Sequence, residues 1–248
     1  MNVSLYQAAA ALEGNLLRQQ AIAENLAAAS VPGFKKQHTS FDSVAAKMGM
    51  QGADRTQLQF LIPAFKQSTS TEQGSLISTG VNTDLAIDGQ GFFQVQGPDG
   101  QTFYTRSGSF RPNADGLLAT SEGFPLIGSA GPIRVNPNFN EPITVSASGE
   151  VSQSGVALGK LDVVTFANSD QLKPLSGGLY GAGSLAPTPA DPTITSIRQG
   201  FLEGSNTTPI HEMGALMDTL RHFEANQKIM SMQDERLGEV IKELSNTN

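Results

Sequence analysis

Two helical stretches with heptad patterning stand at opposite ends of this 248-residue chain, about 180 residues apart, and this separation constrains the fold most. A lone helix draws little stability from propensity and needs its apolar face packed. From Val3 to about Ala29 there is no Pro and one Gly, Gly14, in a run rich in Ala, Leu, Gln and Glu. Its seam steps through Leu5, Ala9, Leu12, Leu16, Gln19, Ala23 and Leu26, flanked by Ile22. Alternating steps of four and three define a coiled-coil stripe. Val31-Pro32-Gly33 ends it, because Pro32 disfavours helical geometry at Val31 and Gly33 permits a turn.

The second stretch starts at Thr208-Pro209, with Pro at the first helical position and Glu212 in the positive first turn. Its seam is Ile210, Met213, Met217, Leu220, Phe223, Gln227, Met230, Asp234, Leu237, Ile241 and Leu244. At ~1.5 Å per residue a helix from Pro209 to Leu244 extends about 54 Å, so it projects from a small domain or pairs along its length. The simplest expectation is that the two ends meet as a hairpin and bury each other's seams. Their remaining faces, rich in Ala, Gln and Asn, permit close approach by further helices and so polymerisation.

Between the ends the period changes to two. Asp84–Asp88 and Phe92–Gln96 read as short strands around Gly89-Gln90-Gly91, and Pro98-Asp99-Gly100 as a turn before the strand Thr102–Arg106. Later strands are punctuated by Asp115-Gly116, Glu122-Gly123, Ser148-Gly149 and Gly177-Gly178. With no helical pattern between them, such strands predict an antiparallel all-β domain. The expected class is therefore α+β: long terminal helices paired as a coiled coil around a central antiparallel domain. The expected divisions are an N-terminal helix over 1–31, a linker or irregular extension over 32–71, the β domain over 72–204 and the C-terminal helix over 205–248.

Composition removes several functions. Sixteen basic against 23 acidic residues give −7, which argues against nucleic-acid binding. The absence of Cys excludes disulfides and thiol chemistry. No apolar run is long enough to span a membrane, and Met1–Ala11 has no basic residue for a signal peptide, so export without a cleaved leader or cytoplasmic residence is expected.

A search for chemistry finds no active site. His211-Glu212 opens like a zincin helix, but the second ligand position holds Ala215; His38 and His222 have no partners in pattern. Gly89-Gln90-Gly91 lacks the third glycine of a dinucleotide fingerprint, having Gln94, and precedes a strand. Gly155–Lys160 is one residue short of a P-loop and is followed by Leu161. Asp84 and Asp88 share a strand face at a spacing of ~13 Å, beyond the ~5–9.5 Å of glycosidase carboxylates. A carbohydrate-binding β protein on a helical stalk is the alternative from another class, and only three Tyr and no Trp serve it. No catalytic residue, metal or cofactor is expected.

Four segments then point in one direction. Glu24-Asn25-Leu26-Ala27-Ala28-Ala29-Ser30-Val31-Pro32-Gly33-Phe34-Lys35, with its Asn-Leu-Ala run leading to Gly-Phe-Lys, resembles the N-terminal motif of bacterial flagellar rod and hook proteins. Leu85–Val95, Tyr104-Thr105-Arg106-Ser107-Gly108-Ser109-Phe110 and Phe201-Leu202-Glu203-Gly204-Ser205-Asn206 resemble further segments of that family, in the family's order. Pro32 and His211-Glu212 depart from its pattern. The resemblance implies a rod subunit of the flagellar basal body, of the FlgF/FlgG type, with the terminal helices as an inner coiled coil and the β domain outside. It implies leaderless passage through the flagellar type III export apparatus, assembly in the periplasm with copies of itself and other rod and hook proteins, and no small-molecule substrate. Ala130-Gly131-Pro132-Ile133 and Arg221-His222-Phe223-Glu224 resemble the proximal-rod FlgF type more than the distal-rod FlgG type. The assembly interface expected from the seams is Leu5, Leu12, Leu16, Ile22, Leu26, Met213, Met217, Leu220, Phe223, Met230, Leu237, Ile241 and Leu244.

Overall fold

The computed structural model describes residues 3–46, 60–136 and 142–246. The chain is α+β, with two long helices near its ends and mostly antiparallel strands between them. It divides into two compact units. Unit 1 comprises residues 1–26, 37–68 and 209–248; unit 2 comprises 27–36 and 69–208.

Unit 1 holds α1 (Val3–Ala27), α2 (Pro209–Asn246) and a two-stranded sheet of β1 (Gln37–Ala46) and β2 (Phe60–Thr69). Pro209 begins α2 and Glu212 lies in its first turn. The sheet occupies much of the 32–71 stretch read from sequence as a linker or irregular extension. The start of β1 escapes a hydropathy reading because Gln37-His38-Thr39-Ser40 is polar at every position, which leaves no period-two signal there.

Unit 2 contains the packed core. Its strands β3 (Leu76–Ser78), β4 (Leu85–Asp88), β5 (Phe92–Gln96) and β6 (Thr102–Thr105) come first along the chain. In the main sheet β5 is flanked by β6 and by Leu126–Gly128, while Leu179–Gly181 pairs the far side of β6. Successive side chains of a strand face opposite ways, so Phe92-Phe93 supplies both faces of this sheet. Phe93 and Val95 join the larger core with Leu85, Ile87, Phe110 and Leu126. Phe92 joins a second cluster with Tyr104, Phe166 and Tyr180. Edge-to-face contacts order both: Phe93 meets Phe110 at 5.4 Å and Tyr104 meets Phe166 at 4.8 Å between ring centroids.

The last strands return along the first ones. Ser196–Gln199 pairs antiparallel with β4, and Phe201–Glu203 with β3, where Glu203 stands opposite Leu76. The near-P-loop segment is part of a hairpin. Ser154 (φ 54°) and Gly155 (φ 76°) form its two-residue turn between Gln153 and Val156, the positive-φ pair of a type I′ turn.

Candidate functional site: a buried charge junction and an exposed helix face

Most of the charge in a low-charge chain lies at the surface, so three fully buried ionic side chains in unit 2 stand apart. Lys35, Arg106 and Glu203 are 1%, 3% and 0% exposed. Each comes from a different motif: Gly-Phe-Lys, Tyr-Thr-Arg and Phe-Leu-Glu. Strand alternation sets Arg106 on the same face as Tyr104, and its guanidinium lies 5.5 Å from the centroid of the Phe92 ring.

Glu203 is the centre. Its Oε1 accepts from Lys35 Nζ at 2.7 Å and from the Gly74 amide at 2.9 Å, and its Oε2 accepts from Arg106 Nη1 at 2.9 Å. Arg106 also donates from Nη2 to the Gly89 carbonyl (2.7 Å), so the fourth motif, through β4 and the glycine turn after it, reaches the same place. Lys35 Nζ donates a second bond to the Glu72 carbonyl. Two cations and one carboxylate leave a net +1 in the interior. Burial holds the Lys35 ammonium below its ordinary range, with Glu203 pulling the other way, and Arg106 is lowered by the same balance. Burial pushes the Tyr180 phenol up to about 12, so Tyr180 is neutral where it accepts a bond from the Lys35 amide at 3.1 Å.

Backbone close approach completes the junction. The Gly33 amide donates to the Glu203 carbonyl at 2.7 Å. Gly33 has φ +72°, and a Cβ there would sit 2.2 Å from the Ser107 nitrogen, so the position accepts no side chain. Val31-Pro32-Gly33-Phe34 is accordingly a turn, with Pro at its second position and positive-φ Gly at its third. Asn206 adds a second fastening: its Oδ1 accepts from the Lys36 amide (2.7 Å), and its Nδ2 donates to Ser70 Oγ (3.2 Å) and the Glu72 carbonyl (3.0 Å).

In unit 1 the Asn of Asn-Leu-Ala plays a comparable part. Asn25 is 1% exposed. Its Oδ1 accepts from the Gln37 amide at 2.8 Å and its Nδ2 donates to the Gln37 carbonyl at 2.9 Å, joining α1 to the start of β1. An amide side chain carries a donor and an acceptor side by side, which matches the amide and carbonyl of one residue. Nδ2 also lies 3.4 Å from Glu212 Oε2, where the two helices meet.

The seam residues are placed unevenly. Ile22 is buried, and Leu12, Leu26, Phe223 and Met230 are half-buried. Leu16 is 53% exposed, and on α2 Ile210, Met213, Met217 and Leu220 are 78%, 50%, 57% and 40% exposed. The side chains of Leu5, Leu237, Ile241 and Leu244 lie outside those described. Over the first three turns of α2 the covered stripe is Glu212, Leu216 and Thr219, one residue out of phase with the seam; further along it takes in the seam residues Phe223 and Met230 but has Asn226 and Gln233 where the seam has Gln227 and Asp234. Thr219 tolerates burial because its hydroxyl donates to the Ala215 carbonyl at 2.7 Å. Hydropathy cannot find this phase, since it ranks Met213 above Glu212.

The remaining sequence candidates have ordinary roles. Asp84 accepts from Thr79 Oγ1 at 2.7 Å, and Asp88 pairs with Arg198 at 2.6 Å on the surface. His211 and His222 are exposed. Among the described residues there is no group of three potential metal ligands, and no helix is long and apolar enough to cross a membrane. Sequence reasoning quoted Lys35, Arg106, Glu203 and Asn206 inside motifs without giving them a role. The available signal was a charged residue beside an aromatic or glycine in each of three motifs.

Charges used as internal fastenings, together with a large apolar face left on a long helix, define a structural subunit. Comparison with known proteins agrees. Residues 86–153 match the model of the flagellar hook protein FlgE/F/G D1 domain, and 198–243 that of the flagellar basal body rod FlgEFG protein C-terminal region. The chain is 34% identical to the flagellar basal-body rod protein FlgG of Agrobacterium fabrum, over 96% of this chain and 97% of that one. It is 32% identical to FlgF of Salmonella typhimurium over 99% of both, and 30% identical to FlgG of Bacillus subtilis over 96% and 97%. The chain belongs to the flagellar basal-body rod protein family of the FlgF/FlgG type, a family of structural proteins.

Proposed function

We propose that this protein is a building block of the flagellar rod that polymerises through its terminal helices, forming part of the axial drive shaft and the export channel within it. The observation that carries this reading is the apolar stripe Ile210, Met213, Met217 and Leu220 on the outside of α2. Fully covering such a side chain contributes about 1.5–3 kcal/mol, so this partly exposed set returns roughly 3–7 kcal/mol. Association costs an estimated 4–15 kcal/mol. One pairwise contact is therefore marginal, and a subunit gripped by several neighbours at once is not. That balance favours ordered growth on an existing tip over pairing in free solution.

In this reading α1 and α2 pair as a coiled coil, and the seam from Leu5 to Leu26 and from Met213 to Leu244 is divided between that pairing and contacts with neighbouring copies and other rod and hook proteins. The subunit travels through the flagellar type III export apparatus without a cleaved leader and works where the rod crosses the periplasm. Along the rod we assign it the proximal, FlgF-type position, supported by Ala130–Ile133 and Arg221–Glu224. Electron microscopy of basal bodies from a strain lacking the gene tests this directly. Loss of the whole rod is expected; a truncated rod places the subunit distally, as in the FlgG type, and intact motile flagella refute the rod reading.

A further inference from the structure

We propose that Lys35 is a positioning residue: its ammonium fixes the course of segments 33–36 and 70–74 of unit 2 while adding little to that unit's stability. The charge count is the starting point. Arg106 and Glu203 already form a neutral pair, with the guanidinium filling the Gly89 carbonyl and the carboxylate taking the Gly74 amide. Lys35 brings a second cation into the same interior, where desolvation cancels much of what an ion pair returns. Its stabilising worth is small, so the reason for its burial lies in geometry.

That geometry is specific. The two bonds of Lys35 Nζ end on residues 72 and 203, and Asn206 ties Lys36 to Ser70 and Glu72. The Ser70 amide donates to the Lys36 carbonyl at 2.8 Å, and the Gly204 amide to the Ser75 carbonyl at 2.8 Å. These segments contain or adjoin the points at which the chain leaves unit 2, after residue 36, before residue 69 and after residue 208. An ammonium held by two acceptors gives them one mutual arrangement, which an apolar side chain of equal volume does not.

The test uses full-length Lys35→Met and Lys35→Arg proteins, followed by thermal unfolding and amide hydrogen exchange. Lys35→Met is expected to melt within about 4 °C of the natural protein, the shift of a small change in a domain this size. The amides of Gly33, Lys36 and Gly74 are expected to exchange about tenfold faster, while those of Leu85 and Leu118 in the core stay protected. Lys35→Arg restores most of that protection. A Lys35→Met protein that fails to fold, or melts as low as Glu203→Gln, overturns the proposal by making Lys35 a stabilising element; unchanged exchange at the three amides overturns it equally. A motility arm rests on the rod reading: cells carrying Lys35→Met are expected to spread poorly. If cells lacking the gene altogether swim normally, the rod reading fails and the exchange result stands by itself.

Discussion

Unit 2 hides the charged cluster Lys35, Arg106 and Glu203 in its interior, and α2 of unit 1 displays the apolar stripe Ile210, Met213, Met217 and Leu220; both reverse the usual distribution, for different reasons. At the junction, every oxygen of Glu203 is met by a donor, which makes a buried carboxylate tolerable and gives it one admissible geometry. On α2, nothing in the described chain covers Met213, Met217 or Leu220. The carboxylate of the first arrangement finds its partners within one chain; the apolar stripe of the second does not. Buried charge defines a subunit's interior, and exposed apolar surface defines what the subunit lacks.

The largest expected effect breaks the complete side. Glu203→Gln removes the carboxylate that both cations share and leaves two buried positive charges uncompensated, a loss of about 3–5 kcal/mol. Urea unfolding should show that loss in the transition of unit 2. Next in size is Leu220→Pro, which removes a helical hydrogen bond and costs about 3 kcal/mol or more. Circular dichroism should report lost helix with the unit 2 transition in place, and motility should vanish; normal swimming would count heavily against the helix-driven reading.

A third expectation concerns alkali. Tyr180 holds its proton more tightly when folded, with its pKa raised from 10.0 to about 12 by burial. A raised folded pKa means stability fully present below pH 10 and lost as pH climbs through 12. Holding the proton this much more tightly is worth roughly 3 kcal/mol. Lys35, held low, contributes the opposite slope below its ordinary 10.5, so the fall above that pH belongs to the buried phenols, chiefly Tyr180, with Tyr104 raised in the same direction by burial. Denaturation from pH 9 to 12 should show the decline, and Tyr180→Phe should remove the larger part of it.

The smallest change in the monomer is the sharpest probe of the incomplete side. Met217→Lys sits on an exposed face and should alter unfolding free energy by no more than about 0.5 kcal/mol. Rod assembly in cells should nevertheless fail. A motile Met217→Lys strain would show that this face meets no neighbour.

Much of the secondary structure was legible from local patterns. Pro32-Gly33 and Pro209 mark the helix ends because proline chemistry acts within a few residues, and Phe92-Phe93 announced a sheet apolar on both faces. The β1–β2 pairing was not legible, since its polar run carries no period. Which face of α2 is covered within the chain over its first turns was not legible either, because Glu212 and Thr219 are admitted to it by partners that hydropathy ignores.

The sequence by itself determined the order of elements, the exclusion of thiol chemistry and the four motifs that assign the family. What only the tertiary structure decided is that those motifs are one object. Glu203 lies 168 residues from Lys35 and 97 from Arg106. No local pattern expresses a contact across such distances, and whether a charge is buried and paired or exposed and solvated depends on which strands fold over it.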